Sequence, residues 1–323
     1  MVQAPATELR PHQKYEALIY LCHALAPVRT AVAYPCDESS LRAAVEAAEA
    51  RLIKPVLIGP EIEIRQLAQA LDLDIELYRV IDRPHSRDAA EAAVALARAG
   101  EVDALMKGSL HTDELMAAVV HQDSGIRMER RISHVFIMDV PTYAKPLFIT
   151  DAAINIAPTL DDKADIARNA IDLAHALGIV EPKLAILSAV ETVNAKIPST
   201  IDAAALCKMA DRGQITGALL EGPLAFDNAI SPRAAAIKHL GSPVAGDADI
   251  LLVPDLEAGN MLAKELTFLA NADAAGIVLG ARVPIILTSR ADDVRTRLAS
   301  CAVAALYAHA RRMAASGIGK SEE

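Results

Sequence analysis

The sequence predicts an α/β protein made of two α/β/α lobes, with mostly parallel sheets and an active-site cleft between the lobes. Short apolar runs bounded by turn residues alternate with longer segments of helical period, which is typical of a parallel sheet covered by helices. The chain has 323 residues, which exceeds the usual size of one domain and favours division into two lobes.

The strands and helices alternate along the whole chain. The apolar runs predict strands at Thr30–Tyr34, Pro55–Ile58, Leu77–Ile81, Ala104–Met106, His134–Met138, Leu147–Thr150, Leu184–Leu187, Ala218–Leu220, Ile250–Val253, Gly276–Leu279 and Pro284–Leu287. Amphipathic segments predict helices at Ser39–Leu52, Arg87–Arg98, Asp161–Leu177, Asp202–Arg212 and Asp292–Ala315, with Ser86 and Gly100 bracketing the second. A break near 125–128 predicts one lobe at 1–127 with 275–323 and another at 128–274.

The composition argues against several classes of partner. A net charge of −10 with 3% aromatic residues opposes a nucleic-acid-binding surface. The mean hydropathy is +0.25, yet no uninterrupted apolar stretch reaches the roughly 18 residues that span a bilayer. The N-terminal segment lacks the apolar core of a secretory signal, so we expect a cytoplasmic protein without a membrane partner. Four widely spaced cysteines predict reduced thiols.

The first candidate binding segment has the sequence KGSLHT and follows the predicted strand Ala104–Met106. A strand that turns at glycine into a helix N-terminus points free backbone N–H groups at an incoming anion, and the lysine adds charge. The threonine hydroxyl is also suited to cap that helix. An ordinary βα turn with a surface lysine explains the pattern equally well. The candidate residues are Lys107, Gly108, Ser109 and Thr112.

The second candidate segment follows the predicted strand Leu147–Thr150. Asp151 and Asn155 are four residues apart and would share a helical face, at a strand end where ligands of open sheets collect. Asp151 as a simple helix cap is the alternative. A third segment, Glu221–Ser231, is rich in turn residues, and we expect it to be a structural loop.

The fourth candidate segment passes from the predicted strand Ile250–Val253 towards a helix. Gly259 permits a close approach of the backbone, and Asn260 offers both a donor and an acceptor to a polar substrate group. Three nearby carboxylates suggest a metal site, but no His or Cys joins them at ligand spacing, so we expect capping or solvated groups and no metal. These carboxylates are Asp247, Asp249 and Asp255.

The fifth candidate segment is TSRADD, directly after the apolar run Pro284–Leu287. Arg290 at a strand end can hold a phosphate with two hydrogen bonds, and Ser289 can hydrogen-bond a reacting thiol, carbonyl or oxyanion. Asp292 or Asp293 is suited to act as a general base. A helix cap with the arginine pointing outwards fits the spacing equally well.

The histidines and the absent motifs narrow the chemistry. His134 lies in an apolar run and is expected to be structural, whereas His111 is the histidine to test for function. The patterns GxSxG, HExxH and strand-to-helix GxGxxG do not occur, which weakens hydrolase, zinc-protease and dinucleotide-binding interpretations.

Six segments, taken in this order, resemble the phosphate acetyltransferase and phosphate butyryltransferase family, and the resemblance runs from about residue 20 to the C-terminus. It implies transfer of a short acyl group between coenzyme A and inorganic phosphate, with coenzyme A as substrate and no metal or redox cofactor. It also implies acyl-CoA and acyl phosphate as binding partners and a homodimer or larger homo-oligomer. The segments are KGSLHT, SHVFIMDVP, ITDAAIN, EGPLAFDNAIS, VAGDADILLVPDLEAGNMLAK and VPIILTSRAD.

The resemblance also implies roles for individual residues. Ser289 would aid the reacting centre, Arg290 would hold phosphate, and Asn260, Asp151 and the 107–112 turn would line or support the cleft. Two positions depart from the acetyl-specific pattern. Thr296 stands where those enzymes have a proposed base, and the segment TDELMAAV lacks their additional arginine. Three arginines are candidate replacements for it, namely Arg127, Arg130 and Arg131. Of these, we assign Arg131 to substrate binding.

Two other functions stay open at this point. A metal- and NAD-dependent dehydrogenase of similar two-lobed fold would need a cluster of metal-binding carboxylates. A non-catalytic CoA-binding protein would keep the fold without turnover, and the two departures make this alternative worth testing. Acyl chain length and the identity of the general base are not fixed by the sequence.

Overall fold

The computed structural model describes residues 13–287 and 294–315, and the chain forms two compact units. Within the described residues, the terminal unit contains 18–132, 275–287 and 294–315, and the central unit contains 13–17 and 133–274. The lobes predicted from the sequence, 1–127 with 275–323 and 128–274, stay a prediction, because compactness alone does not define a lobe that folds by itself.

Eleven strands occur in the described residues, and each overlaps a strand predicted from an apolar run. The prediction of an α/β fold is therefore confirmed. The strands are β1 (Val28–Ala33), β2 (Ile53–Gly59), β3 (Arg79–Asp82), β4 (Ala104–Lys107), β5 (Ser133–Asp139), β6 (Leu147–Thr150), β7 (Lys183–Leu187), β8 (Leu219–Leu224), β9 (Ile250–Leu252), β10 (Asp273–Leu279) and β11 (Ile285–Ile286).

Helices connect most of these strands. In the described residues they are α1 (Gln13–Cys22), α2 (Glu38–Glu49), α3 (Glu61–Ala70), α4 (Ser86–Ala99), α5 (Thr112–Val120), α6 (Leu160–Ala176), α7 (Pro198–Asp211), α8 (Phe226–Ile230), α9 (Pro232–Ile237), α10 (Leu256–Leu269) and α11 (Val294–Ala315). Five of them, α2, α4, α6, α7 and α11, overlap the predicted amphipathic segments, as expected for helices with one apolar side to bury. No helix among these residues combines the length and the apolar character needed to cross a membrane.

The strands of the terminal unit run in the order β3-β2-β1-β4-β11-β10. They are parallel except for β10, which is antiparallel to β11. All four residues of β4 are buried, as expected for a strand covered by helices on both faces. Because parallel strands point the same way, the turns that follow β1 and β4 leave from one edge of the sheet, which we call the carboxyl edge.

The strands of the central unit run in the order β5-β6-β9-β7-β8. Only the β5–β6 pair among them is antiparallel. β6 is buried along its whole length, and Phe148 within it is completely inaccessible to solvent. Because β6 and β9 are parallel neighbours, their carboxyl ends lie side by side. The loop after β6 therefore lies beside the start of α10, which follows β9.

Three local predictions are wrong in detail. His85, rather than Ser86, is the N-cap of α4, although Gly100 ends that helix with a left-handed φ of 74° as expected. His111, rather than Thr112, is the N-cap of α5. The expected loop at 221–231 instead contains the end of β8 and all of α8. β8 is an edge strand that pairs with β7 alone, so Pro223 is tolerated there.

Candidate active site

The turn between β4 and α5 is held tightly against the end of β1. The backbone N–H of Gly108 donates to the carbonyl of Ala33 at 2.9 Å, and that of Ser109 donates to the carbonyl of Tyr34 at 2.8 Å. The Ser109 hydroxyl also donates to the Tyr34 carbonyl at 2.9 Å. A Cβ at position 108 would lie 2.4 Å from the oxygens of Ala33 and Tyr34, so only glycine fits this approach.

The prediction of free N–H groups in this turn is wrong for three positions. Those of Gly108 and Ser109 bond to β1, and the N–H of His111 donates to the Glu114 carboxylate at 3.3 Å. The physical reason is that a parallel neighbour offers unpaired carbonyls at its end, and buried donors must be satisfied. Thr112 is the first residue of α5 and lies next to the candidate turn.

Lys107 brings a positive charge to the carboxyl edge of the terminal unit. The residue is 8% exposed, and its ammonium group donates to the carbonyls of Gly108 at 3.1 Å and Leu110 at 3.2 Å. It is therefore not the surface lysine of an ordinary turn. These bonds fix the turn around the charge, and a buried ammonium of this kind attracts an anion more strongly than an exposed one.

The Asp151 carboxylate organises the loop that follows β6. It accepts from the backbone N–H groups of Ala153 at 2.9 Å, Ile154 at 3.0 Å and Asn155 at 3.2 Å, and from the Asn155 side chain at 2.6 Å. The expected helix over 151–155 does not form, because the carboxylate satisfies these N–H groups in a turn. Asp151 and Asn155 are both buried and in direct contact.

The start of α10 packs on this loop through Gly259 and Asn260. A Cβ at position 259 would lie 2.9 Å from the Asp151 carbonyl oxygen and 2.8 Å from a methyl group of Val253. The Asn260 side chain donates to the carbonyl of Ala152 at 3.2 Å. The structure thus brings four predicted residues of the central unit together. They are Asp151, Asn155, Gly259 and Asn260.

His134 is a buried member of this region that the sequence indicated only as structural. It lies on β5, one residue before Val135, which pairs with Thr150. Its ring packs edge-on against that of Phe136, with 4.4 Å between the ring centroids. Burial lowers the pKa of His134 to about 4, although the negative charge of Asp151 opposes this shift. The imidazole is therefore neutral at physiological pH, and its Nδ1 has no hydrogen-bond partner in the described part of the chain.

Two residues of the terminal unit site were missed because they follow β1, whereas the predicted turn follows β4. Tyr34 adopts a φ of 57° and supplies the carbonyl that Ser109 contacts, and the Cys36 N–H donates to the Ser109 hydroxyl at 3.3 Å. Burial, followed by the charges of Glu63 and Asp37, raises the pKa of the Cys36 thiol to about 12. Its thiol is consequently protonated and a poor nucleophile at neutral pH.

The other predicted residues fall outside these two clusters. Arg131 is exposed in the segment before β5, where its carbonyl oxygen lies against Gly280. Four candidate catalytic residues lie outside the described residues, and their roles stay predictions. They are Ser289, Arg290, Asp292 and Asp293.

The carboxylates considered for a metal site have other partners. Asp247 and Asp249 pair with Lys145 at 3.0 and 2.8 Å, and Asp255 caps α10 by accepting from the Ala258 N–H at 2.9 Å. Within 13–287 and 294–315, no three His, Cys, Asp or Glu side chains are grouped so that they could hold a metal ion. Asp255 therefore has the predicted capping role and Asp247 is half-exposed, whereas Asp249 is buried and accepts the Lys183 N–H at 2.8 Å instead of being solvated. The expectation that this enzyme holds no metal stays a prediction.

Comparison with known proteins gives the family. The family model for phosphate acetyl/butaryl transferase matches residues 82–305. The chain is 66% identical over 301 residues to phosphate acetyltransferase of Rhizobium meliloti, which covers 93% of this chain and 95% of the relative. It is 40% identical over 280 residues to phosphate butyryltransferase of Clostridium acetobutylicum, covering 87% and 93%.

The solved structures agree with this result. The crystal structure of a branched-chain phosphotransacylase from Enterococcus faecalis V583 has a TM-score of 0.77 at 32% identity, covering 87% of this chain and 99% of that one. The chain therefore belongs to the phosphate acetyltransferase and phosphate butyryltransferase family. It is an enzyme, an acyltransferase, which sets aside the dehydrogenase and the non-catalytic alternatives.

Replacing Gly259 by alanine tests the packing of α10 on the Asp151 loop. Helix propensity alone would favour alanine by about 1 kcal/mol. Because the new methyl group would overlap the Asp151 carbonyl, we expect Gly259→Ala to lower the free energy of unfolding by about 2 kcal/mol, measured by urea denaturation. Gly241→Ala is the matched control, since a Cβ there meets nothing within 4 Å. A Gly259→Ala protein as stable as the wild type would contradict the close contact.

The buried histidine predicts a pH dependence of stability. Because the pKa of His134 is lower in the folded chain, the unfolded chain binds the proton more readily, and stability falls as the pH drops from about 6.5 towards 4. We expect His134→Leu to remove about 2 kcal/mol of the loss between pH 7.5 and pH 4.5, measured by urea denaturation at both values. The exposed His23, changed to leucine, serves as the control. Parallel profiles for wild type and His134→Leu would exclude this origin.

Proposed function

We propose that this enzyme transfers an acetyl group between coenzyme A and inorganic phosphate, in the reaction acetyl-CoA + phosphate = acetyl phosphate + CoA. The observation that carries the proposal is the 66% identity to phosphate acetyltransferase of Rhizobium meliloti over nearly the full length of both chains. The phosphate butyryltransferase of Clostridium acetobutylicum is 40% identical, which makes butyryl-CoA the second acyl donor to test.

The proposed chemistry is a direct transfer with both substrates bound. In the direction of thioester formation, the CoA thiol gives its proton to a base, and the thiolate forms a carbon–sulfur bond to the acetyl carbonyl. The carbon–oxygen bond to phosphate breaks, and phosphate leaves with the electron pair. A free thiol has a pKa near ~8.5, so the base has only a modest deprotonation to assist.

Each step has a candidate group in the chain. Arg290 neutralises the leaving phosphate, and Ser289 hydrogen-bonds the reacting centre, as the family resemblance implies. Asp292 or Asp293 takes the thiol proton. Asp151 is a poor candidate for this base, because its carboxylate is already bonded to four N–H groups, and its role is to shape the loop around Asn155.

Lys107 of the terminal unit also supports the proposal. Its buried ammonium group adds positive charge near the carboxyl end of β4, which favours binding of the phosphate-bearing substrates. Coenzyme A enters as a substrate, and the reaction needs no further cofactor. We expect the enzyme to act in the cytoplasm as a homodimer or larger homo-oligomer, with acyl-CoA and phosphate as its small-molecule partners.

The function is tested by following CoA thiol release from acetyl-CoA in the presence and absence of inorganic phosphate. We expect phosphate-dependent release, with kcat/KM highest for acetyl-CoA in a series that includes propionyl-CoA and butyryl-CoA. A higher value for butyryl-CoA would assign the enzyme to the butyryl branch. Absence of phosphate-dependent release with all three donors would defeat the proposal.

The role of Arg290 is tested by Arg290→Ala. Loss of a charge-assisted pair to phosphate corresponds to roughly 3 kcal/mol, so we expect kcat/KM for phosphate to fall about 100-fold. Arg282→Ala is the control, because Arg282 is exposed and its side chain donates to the Arg98 backbone carbonyl at 2.8 Å. Equal kinetics for the two folded variants would remove Arg290 from the mechanism.

A further inference from the structure

Arg297 is a buried cation near the start of α11. It is the fourth residue of that helix, and only 8% of its surface is exposed. Arginine is among the residues least often buried without a charged partner, because removing its charge from water costs several kcal/mol. A buried guanidinium therefore needs an identified acceptor.

The described residues offer few hydrogen-bond acceptors to the Arg297 guanidinium. One nitrogen of Arg297 donates to the Ser39 carbonyl at 3.3 Å, and in the residues that the structure describes this is its one hydrogen bond, without an ion pair to a carboxylate. A guanidinium carries five N–H donors in a planar fork. By contrast, the half-exposed Arg29 makes a two-point bond to Asp103, at 2.8 and 2.9 Å.

The carboxylates near Ser39 already have other partners. Asp37 accepts from the Ser40 N–H at 2.8 Å as the N-cap of α2, and Glu38 pairs with Arg42 at 3.2 Å on the exposed side of that helix. Arg297 thus keeps several donors for a group that is not part of the described chain. The planar fork matches the oxygens of a carboxylate or a phosphate group, and the substrates of the proposed reaction carry phosphate groups.

The position of Arg297 in the terminal unit favours a role at the site. α11 follows β11, α2 follows β1, and β4 lies between these two strands. A side chain that reaches from the first turn of α11 to the first turn of α2 therefore lies at the carboxyl edge, where the turn that begins with Lys107 also lies. The positive end of the α2 dipole is at this edge as well, which favours a bound anion.

We propose that Arg297 binds a phosphate group of the substrates, and this inference rests on the proposed acetyl transfer. The group is either inorganic phosphate, which becomes the phosphate of acetyl phosphate, or a phosphate of coenzyme A. Arg297 is then a second guanidinium for substrate binding, in addition to Arg290. It differs from Arg131, the residue that the sequence offered for this role, in being buried rather than exposed.

The test measures the KM of the full-length enzyme for phosphate and for acetyl-CoA separately. We expect Arg297→Gln to raise one of the two KM values about 10-fold to 100-fold, which is the usual effect of losing a charge-assisted bond. A raised KM for phosphate identifies inorganic phosphate as the ligand, and a raised KM for acetyl-CoA identifies a coenzyme A phosphate. Arg42→Gln, which removes an arginine from the nearby α2, should leave both values unchanged.

Ligand binding gives a second measurement that does not need turnover. We expect inorganic phosphate or CoA to raise the melting temperature of the wild type and of Arg42→Gln, and the same ligand to have little effect on Arg297→Gln. If the wild type releases no thiol, the proposed function fails, whereas this difference in stabilisation still supports the anion site.

Three results would overturn the inference. Arg297→Gln with both KM values and both ligand responses unchanged would show a purely structural arginine, even if its melting temperature is lower. If that variant does not fold, Arg297→Lys replaces it, since lysine keeps the charge without the fork. Arg297→Lys should then raise the affected KM at least about 3-fold, and unchanged KM values would reject the proposal. Equal KM changes in Arg42→Gln would also reject it.

Discussion

The candidate site of the central unit depends on one carboxylate, that of Asp151. It accepts hydrogen bonds from four N–H groups of the loop that follows β6, and these charge-assisted bonds keep residues 151–155 in a turn. The rigid turn allows α10 to approach within contact distance at Gly259, and the Asn260 side chain then fixes the helix to the loop. A group that is bound so completely gives up proton transfer and gains precise positioning of its neighbours.

In the terminal unit, side chains rather than backbone amides are available to bind an anion. Its β4–α5 turn uses the backbone N–H groups of Gly108 and Ser109 to bind the end of β1, so these amides are not available to an anion. Attraction for a phosphate-bearing substrate therefore falls to side chains, first to the buried ammonium group of Lys107 and, in our proposal, to Arg297. Both side chains are largely buried, and electrostatic attraction is stronger in the protein interior than in water.

The fold was predictable because strand and helix patterns are local. Strands that are covered by helices on both faces appear in a sequence as short apolar runs, and each of the eleven strands overlaps such a run. Local chemistry was less decisive at the ends of elements. The sequence suggested Thr112 as a cap and a helix at 151–155, but His111 takes the first role and the Asp151 network replaces the second. At these positions side chains compete with the backbone for the same donors.

By itself, the sequence determined the α/β class, the succession of strands along the chain, the acyltransferase family and which polar segments follow a strand. Only the tertiary structure decided which of those segments meet. Asp151 and Gly259 are more than 100 residues apart and touch because β6 and β9 are neighbours in the sheet, and Tyr34 reaches Ser109 because β1 lies beside β4. Burial of Lys107 and Arg297 was likewise hidden, because it arises from packing between distant parts of the chain.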